Sequence, residues 1–174
     1  MATVILDAGH GGWDRGATYD FHVEKDDNLE LALAVGEILS QNGVNVLYTR
    51  VTDLYEAPIQ KARDANNSGA DYMISLHRNS SPVPNQYAGV ESFVYSLDGV
   101  ATRMAANINA QLAQVGYNNL GVKERTNLIV LNSTNIPAIL VEVGFINSDE
   151  DNYLFEVFFE QTAQAIATGI LESL

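Results

Sequence analysis

Cysteine is absent from the 174 residues of this chain. Disulfides, thiolate nucleophiles and sulfur-ligated metal are thereby excluded. Basic residues are scarce: nine Lys and Arg stand against 22 Asp and Glu, a formal charge of −13 at pH 7. So acidic a chain repels nucleic acid and anionic membrane surfaces at long range, which excludes nucleic acid as a partner. No apolar run approaches the roughly eighteen residues of a membrane span, so membrane insertion is not expected. Histidine occurs only at positions 10, 22 and 77, and any metal site must be built from these and from carboxylates. Met1-Ala2-Thr3 leads directly into an apolar strand pattern without the charged and apolar regions of a signal peptide. The expectation is a protein made without export, or a domain excised from a longer one.

What is present is the composition of an ordinary globule, 47% hydrophobic and 18% charged. The length fits one domain able to bury about two thirds of its unfolded surface. No repeat, low-complexity tract or linker divides it, so residues 1–174 are read as a single domain.

The most informative stretch is Val4-Ile5-Leu6-Asp7-Ala8-Gly9-His10-Gly11-Gly12. Its branched apolar start predicts a buried strand, and its glycines allow a sharp turn with no Cβ in the way. His10 is therefore expected at the carboxyl end of a strand, where open α/β sheets place their ligands. A phosphate loop is a poor fit, because the stretch lacks both the Gly-Lys-Ser/Thr ending and the dinucleotide spacing.

Further along, a polar loop from Trp13 to Val23 carries His22 and ends at Glu24, and Asp26 or Asp27 is expected to cap the helix that follows. Leu29, Ala32, Leu33 and Gly36 mark its buried face at three/four spacing. Val44 to Tyr48 predicts a second strand, Ala57 to Ser68 a second helix, and Asp71 to His77 a third strand that again delivers a histidine at its end. Crossovers of this length make the three strands parallel, which puts His10 and His77 on one edge of the sheet. Asn79 to Tyr87 is loop-like, Gly89 to Tyr95 a strand, and Gly99 to Gly116 a helix. Asn118 to Thr126 is expected to be a mobile or binding loop, Asn127 to Leu131 a short strand, and Pro137 to Phe145 a longer one. From Ser148 to Leu174 the pattern is helical, with a break near residues 156–159.

Glu142 sits inside that last apolar strand, where carboxylates are rarely left unpaired. Desolvation raises a carboxyl pKa, which suits a group that must take a proton and return it. Pairing with an arginine is the structural alternative. Catalytic zinc commonly takes three protein ligands and keeps one position for water. His10, His77 and one carboxylate complete such a set; Glu24 is the best candidate, and His22 is the rival third ligand.

These residues match a family pattern. Leu6-Asp7-Ala8-Gly9-His10-Gly11-Gly12 with Asp14, Gly16 and Ala17 resembles the opening of the zinc-dependent N-acetylmuramoyl-L-alanine amidases of bacterial peptidoglycan. The likeness continues in order through Glu24-Lys25 with Asn28-Leu29, Thr49-Arg50 with Asp53, Ile74 to His77 with Asn79, and Pro137 to Phe145 with Asn147. Arg78 and Leu120 depart from the pattern: the first stands where a small or aromatic residue is commoner, the second where arginine is frequent. The resemblance implies one zinc ion per chain held by His10, Glu24 and His77, with Glu142 as the catalytic carboxylate. It also implies an α/β fold with a mixed, mostly parallel six-stranded sheet flanked by helices on both faces. The implied reaction is hydrolysis of the amide between N-acetylmuramic acid and L-alanine, with peptidoglycan as partner and the cell wall as the place of action. A peptidoglycan-binding module that has lost catalysis, or a zinc peptidase cutting another stem-peptide bond, is the competing expectation.

Three lesser assignments complete the reading. Arg78 beside His77 is expected either to contact a stem-peptide carboxylate or to lie exposed. Asp7 and Asn79 are expected to orient ligand imidazoles or to end their strands through local backbone bonds. His22 is expected on the surface.

Overall fold

The computed structural model describes residues 1–174. The chain opens with β1 (Thr3–Ala8), makes a small hairpin of β2 (Thr18–Tyr19) and β3 (His22–Val23), and enters α1 (Glu24–Gln41). β4 (Asn45–Tyr48), α2 (Pro58–Asn67) and β5 (Tyr72–Asn79) follow, then β6 (Val90–Val94) and α3 (Val100–Val115). The remainder comprises β7 (Asn119–Glu124), the short α4 (Ile129–Asn132), β8 (Ala138–Phe145), α5 (Asp149–Val157) and α6 (Phe159–Leu171). No helix is long and apolar enough to cross a membrane.

Six strands form one sheet in the order β4-β1-β5-β8-β6-β7. Every neighbouring pair is parallel except β6 against β8. The sheet is thus mixed and mostly parallel, with β1, β4 and β5 aligned as the crossover lengths require.

Strand side chains alternate between faces, and this alternation decides the molecule's two sides. Val4, Leu6, Ala8, Ile74, Leu76, Ile139, Val141 and Val143 join the larger core with residues of α1, α3 and α6. Ile5, Met73, Phe93, Ala138 and Leu140 join the smaller core with Ala65 of α2 and Val130 and Leu131 of α4. Helices therefore cover both faces. Asp7, Ser75, His77, Glu91 and Glu142 share the parity of the smaller core's residues, which brings the polar chemistry to the α2 and α4 side of the sheet.

Several elements differ from the sequence reading. Helix α1 starts at Glu24 without a side-chain cap bond, its first amides donating to the carbonyls of Ala17 at 3.0 Å and Arg15 at 3.2 Å, so Asp26 and Asp27 lie inside its first turn. Carboxylates there favour the positive end of the helix dipole. Residues 119–124 form the edge strand β7, not a loop: their polar sequence suits a strand paired only with β6. Residues 129–132 form a helical turn, not a strand, because Val130 and Leu131 must turn together into the smaller core.

Candidate metal centre

His10 follows β1 directly, with φ of +62°, a left-handed conformation that costs a residue with a Cβ about 1–2 kcal/mol. Two buried cations fix the backbone on either side. Arg50 donates from Nε to the Ala8 carbonyl at 3.0 Å and from Nη2 to the carbonyls of Gly9 at 3.1 Å and Lys25 at 2.7 Å. Lys61 Nζ donates to the Ala8 carbonyl at 2.8 Å and lies 3.4 Å from that of His10. Gly9 allows the closest approach in the site: a Cβ there would run into the His77 imidazole.

His10, Glu24 and His77 each offer one ligand atom, all within 4.8 Å of one another. Glu24 Oε1 lies 3.1 Å from both His10 Nε2 and His77 Nδ1. The carboxylate is aimed by backbone amides, accepting from Ala17 N at 2.8 Å and Arg78 N at 3.1 Å. Burial opposes its charge, but hydrogen bonds and charge from the two histidines hold its pKa well below the usual carboxylate range. Burial likewise opposes charge on His10, yet Glu24 and then Asp14 prevail and raise it to about 9. Asp14 Oδ2 sits 2.9 Å from His10 Nδ1, so that Nε2 is the nitrogen directed at Glu24. A carboxylate on the far nitrogen is the arrangement that orients metal-binding imidazoles. Two imidazoles and a carboxylate, clustered with His10 Nδ1 and Glu24 Oε2 held from outside, are a donor set that fits zinc.

Glu142 stands beside this cluster. It is the register partner of His77 across β5 and β8, and of Glu91 across β8 and β6. Its Oε2 is buried and has no hydrogen-bond partner, so the arginine pairing of the structural alternative does not occur. Burial, reinforced by Glu24 and Glu91 and opposed by the histidines, pushes its pKa up to about 7. Glu91 in turn is held by Lys123 and accepts from Asn79 Nδ2 at 2.7 Å.

The cluster opens into a cleft of about 320 Å³ bordered by Asp7, His10, Glu56, His77, Leu128 and Ile129 among others. A second groove of about 450 Å³, lined by Asn79, Glu91, Leu120 and Lys123, lies on the β6 and β7 side.

The structure corrects several side-chain assignments. Arg78 is only 2% exposed. Its guanidinium meets Val143 O at 3.1 Å, Asp27 Oδ2 at 2.7 Å and Asn152 Oδ1 at 2.7 Å, with Cζ 4.2 Å above the Phe155 ring. One position beyond His77, it points through the opposite face, so it neither reads a substrate carboxylate nor lies exposed. His22 is buried between Asp27 at 3.0 Å and Glu156 at 2.8 Å and is not in the cluster. Asp7 orients no imidazole and makes no local backbone cap; it pairs with Lys61 at 2.8 Å and accepts from Ser75 at 2.6 Å and Thr49 at 2.7 Å. Asn79 also touches no imidazole, and its Oδ1 accepts from Ser80 N at 2.9 Å, the local bond of a strand end. Lys61 was missed, although a visible signal exists: it shares the buried stripe of α2 with Ala62 and Ala65 at helical spacing.

Fold and site together define an α/β protein with a His, Glu, His cluster and, beside it, a carboxylate whose buried oxygen has no partner. Residues 4–172 match the family model described as N-acetylmuramoyl-L-alanine amidase, and the chain belongs to that family. It is similar to the sporulation-specific N-acetylmuramoyl-L-alanine amidase of Bacillus subtilis, 35% identical over 98% of this chain and 67% of the relative. An endolysin of Bacillus phage SPP1 is also 35% identical, over 98% of this chain and 65% of its own length. Among solved structures, the N-acetylmuramoyl-L-alanine amidase of Clostridium difficile 630 superposes with a TM-score of 0.91 at 31% identity, covering 98% of this chain and 95% of that one.

Proposed function

We propose that the chain hydrolyses the amide between the lactyl group of N-acetylmuramic acid and the L-alanine of the peptidoglycan stem, at the cell wall, with one zinc ion held by His10, Glu24 and His77. The observation that carries this reading is a partly buried Glu142, its Oε2 buried and unpartnered, set in register beside a three-donor cluster. Family membership supports both the substrate and the metal.

When bound, zinc supplies Lewis acidity that polarises the scissile carbonyl and acidifies water. Glu142 takes the proton of the attacking water and delivers it to the departing alanine nitrogen. Burial raises its pKa, which suits a group that must take a proton and return it. Asp14 keeps the His10 ring in one orientation, and Arg50 and Lys61 hold the backbone beneath it. Asn79, at the edge of the second groove, is the residue we assign as a substrate contact there.

The test is a digest of purified sacculi with wild type, Glu142→Gln and chelator-treated protein, with products identified by mass. Wild type should release peptides beginning with L-alanine, and the other two should not. Zinc content of Glu142→Gln should stay near one per chain. An active Glu142→Gln variant would sink the role of that residue. Products opened at another bond would favour a peptidase, and sacculi bound but uncut a binding module.

A further inference from the structure

Trp13 is the chain's only tryptophan, and it is 76% exposed, three residues from His10. Nothing in the amidase chemistry above uses it. An exposed indole at a site's rim has a structural explanation only if it packs against something, and one of its faces does: its ring lies 4.3 Å from that of Tyr55, tilted by 36°. The other side is left to solvent.

The platform is rigid from below. Gly11 and Asp14 exchange backbone hydrogen bonds of 2.9 and 3.1 Å, so Gly12 and Trp13 form the centre of a two-residue turn. Gly12, with φ of +59°, supplies the backbone that such a turn needs at its first central position. Gly12 N donates to Asp53 Oδ1 at 2.7 Å, and Lys25 Nζ donates to the Gly12 carbonyl at 3.0 Å. A ring held in this way loses little conformational freedom when something settles on it. The turn is also continuous with the centre, since Asp14 both closes it and bonds His10.

Resting on the amidase reading, we propose that Trp13 and Tyr55 form a platform for a sugar ring of the glycan strand adjoining the muramyl residue. The scissile amide ties the peptide to a polymer of pyranose rings, so glycan must pass close to the cluster. A pyranose offers an apolar C–H face to an aromatic ring and polar groups at its rim, and Asp53, half exposed at the foot of the platform, provides an acceptor for them. A flat, outward-facing ring suits a strand crossing the surface. The stem peptide is better matched by the cleft that His10 and His77 border, where Leu128, Ile129, Val130 and Leu140 provide apolar walls.

Because Trp13 is the single indole, its emission reports this place alone. A peptide-free β-1,4-linked N-acetylglucosamine hexamer titrated into the wild-type chain should shift that emission saturably. No shift up to the sugar's solubility limit overturns the proposal. Calorimetry with the same hexamer should show affinity roughly tenfold weaker for Trp13→Ala, with Trp13→Tyr recovering most of it. Equal affinity in all three proteins overturns it too, as does an emission shift given by free stem peptide and not by the hexamer. The titration involves no turnover, so its result is separate from that of the amidase reading, which fails if wild-type protein releases no L-alanine-ended peptide from sacculi.

Discussion

Replacing Glu142 by Gln should stabilise the metal-free protein, and by an amount that depends on pH. Glu142 is partly buried, its Oε2 is buried without a partner, and desolvation with the nearby charges of Glu24 and Glu91 raises its pKa from 4.5 to about 7. A group whose folded pKa is raised stabilises the native state most fully below its unfolded pKa, and that contribution is lost as pH rises through the folded value. A shift from 4.5 to about 7 corresponds to about 3 kcal/mol of lost stability once the pH exceeds both values. Integrated between about pH 5 and about pH 8, the loss amounts to about 2.5 kcal/mol. Gln has nearly the same shape and cannot ionise.

Urea denaturation of chelator-stripped wild type and Glu142→Gln at those two pH values isolates the effect, since every other titrating group is common to both. The variant's advantage should be about 2.5 kcal/mol larger at the higher pH, seen as a shift in midpoint at unchanged slope. An advantage that does not change with pH, or that shrinks as pH rises, would refute the claim that Glu142 is held desolvated beside the cluster. A more stable, inactive variant would support the proposal that Glu142 serves as the base and is kept ionisable at the expense of the fold.

Arg78→Ala should destabilise by about 3–5 kcal/mol in urea denaturation, because it strips a buried cation from Asp27, Asn152 and the Val143 carbonyl; a change below about 1 kcal/mol would contradict that burial. Lys61→Met should remove a similar amount and reverse an acid response. In wild type, burial raises the Asp7 pKa but Lys61 and Ser75 prevail and lower it, so its contribution is present above its usual value and lost as pH falls through the folded one. Without Lys61, burial should dominate, and stability measured by denaturation should instead improve as pH is lowered towards 4. Gly9→Ala should weaken zinc affinity roughly tenfold or more in competition with a chromophoric chelator, since its Cβ would displace the His77 ring; unchanged affinity would mean that the ring has another place to go.

Where the sequence reading succeeded, periodicity and strand polarity were enough. Two apolar strands ending in His10 and His77, joined by crossovers, can only bring both imidazoles to one edge, and the glutamate opening the intervening helix arrives with them. Where it failed, side-chain direction was the missing step. Ile74, Leu76 and Arg78 alternate with Ser75 and His77, so the parity that turns His77 towards the cleft turns Arg78 into the larger core. That conclusion was available from the period-two rule alone. Other parts were not local properties. Residues 119–124 have too little apolar content to declare a strand and become one by pairing with β6. Val130 and Leu131 read as strand formers and adopt a helical turn because the smaller core lies on one side of them. The partnership of Asp7 with Lys61 joins two elements whose separation hides it from any short window.

The scarcity of basic residues sharpens the meaning of where they lie. Of nine Lys and Arg, three are among the buried residues: Arg50, Lys61 and Arg78. Each ties a carbonyl or carboxylate next to the cluster, through Ala8, Gly9, Lys25, Asp7, Asp27 or Val143. A buried cation left without partners is strongly destabilising, so these three are tolerated only because irregular backbone and carboxylates converge on them. The dependence is mutual: the left-handed turn at His10 leaves the carbonyls of Ala8 and Gly9 outside the strand ladder, and buried carbonyls need donors. Arg50 and Lys61 are those donors. In a chain this acidic, the cations that face inward hold the centre's backbone, and the carboxylate they leave free to join the two imidazoles is that of Glu24.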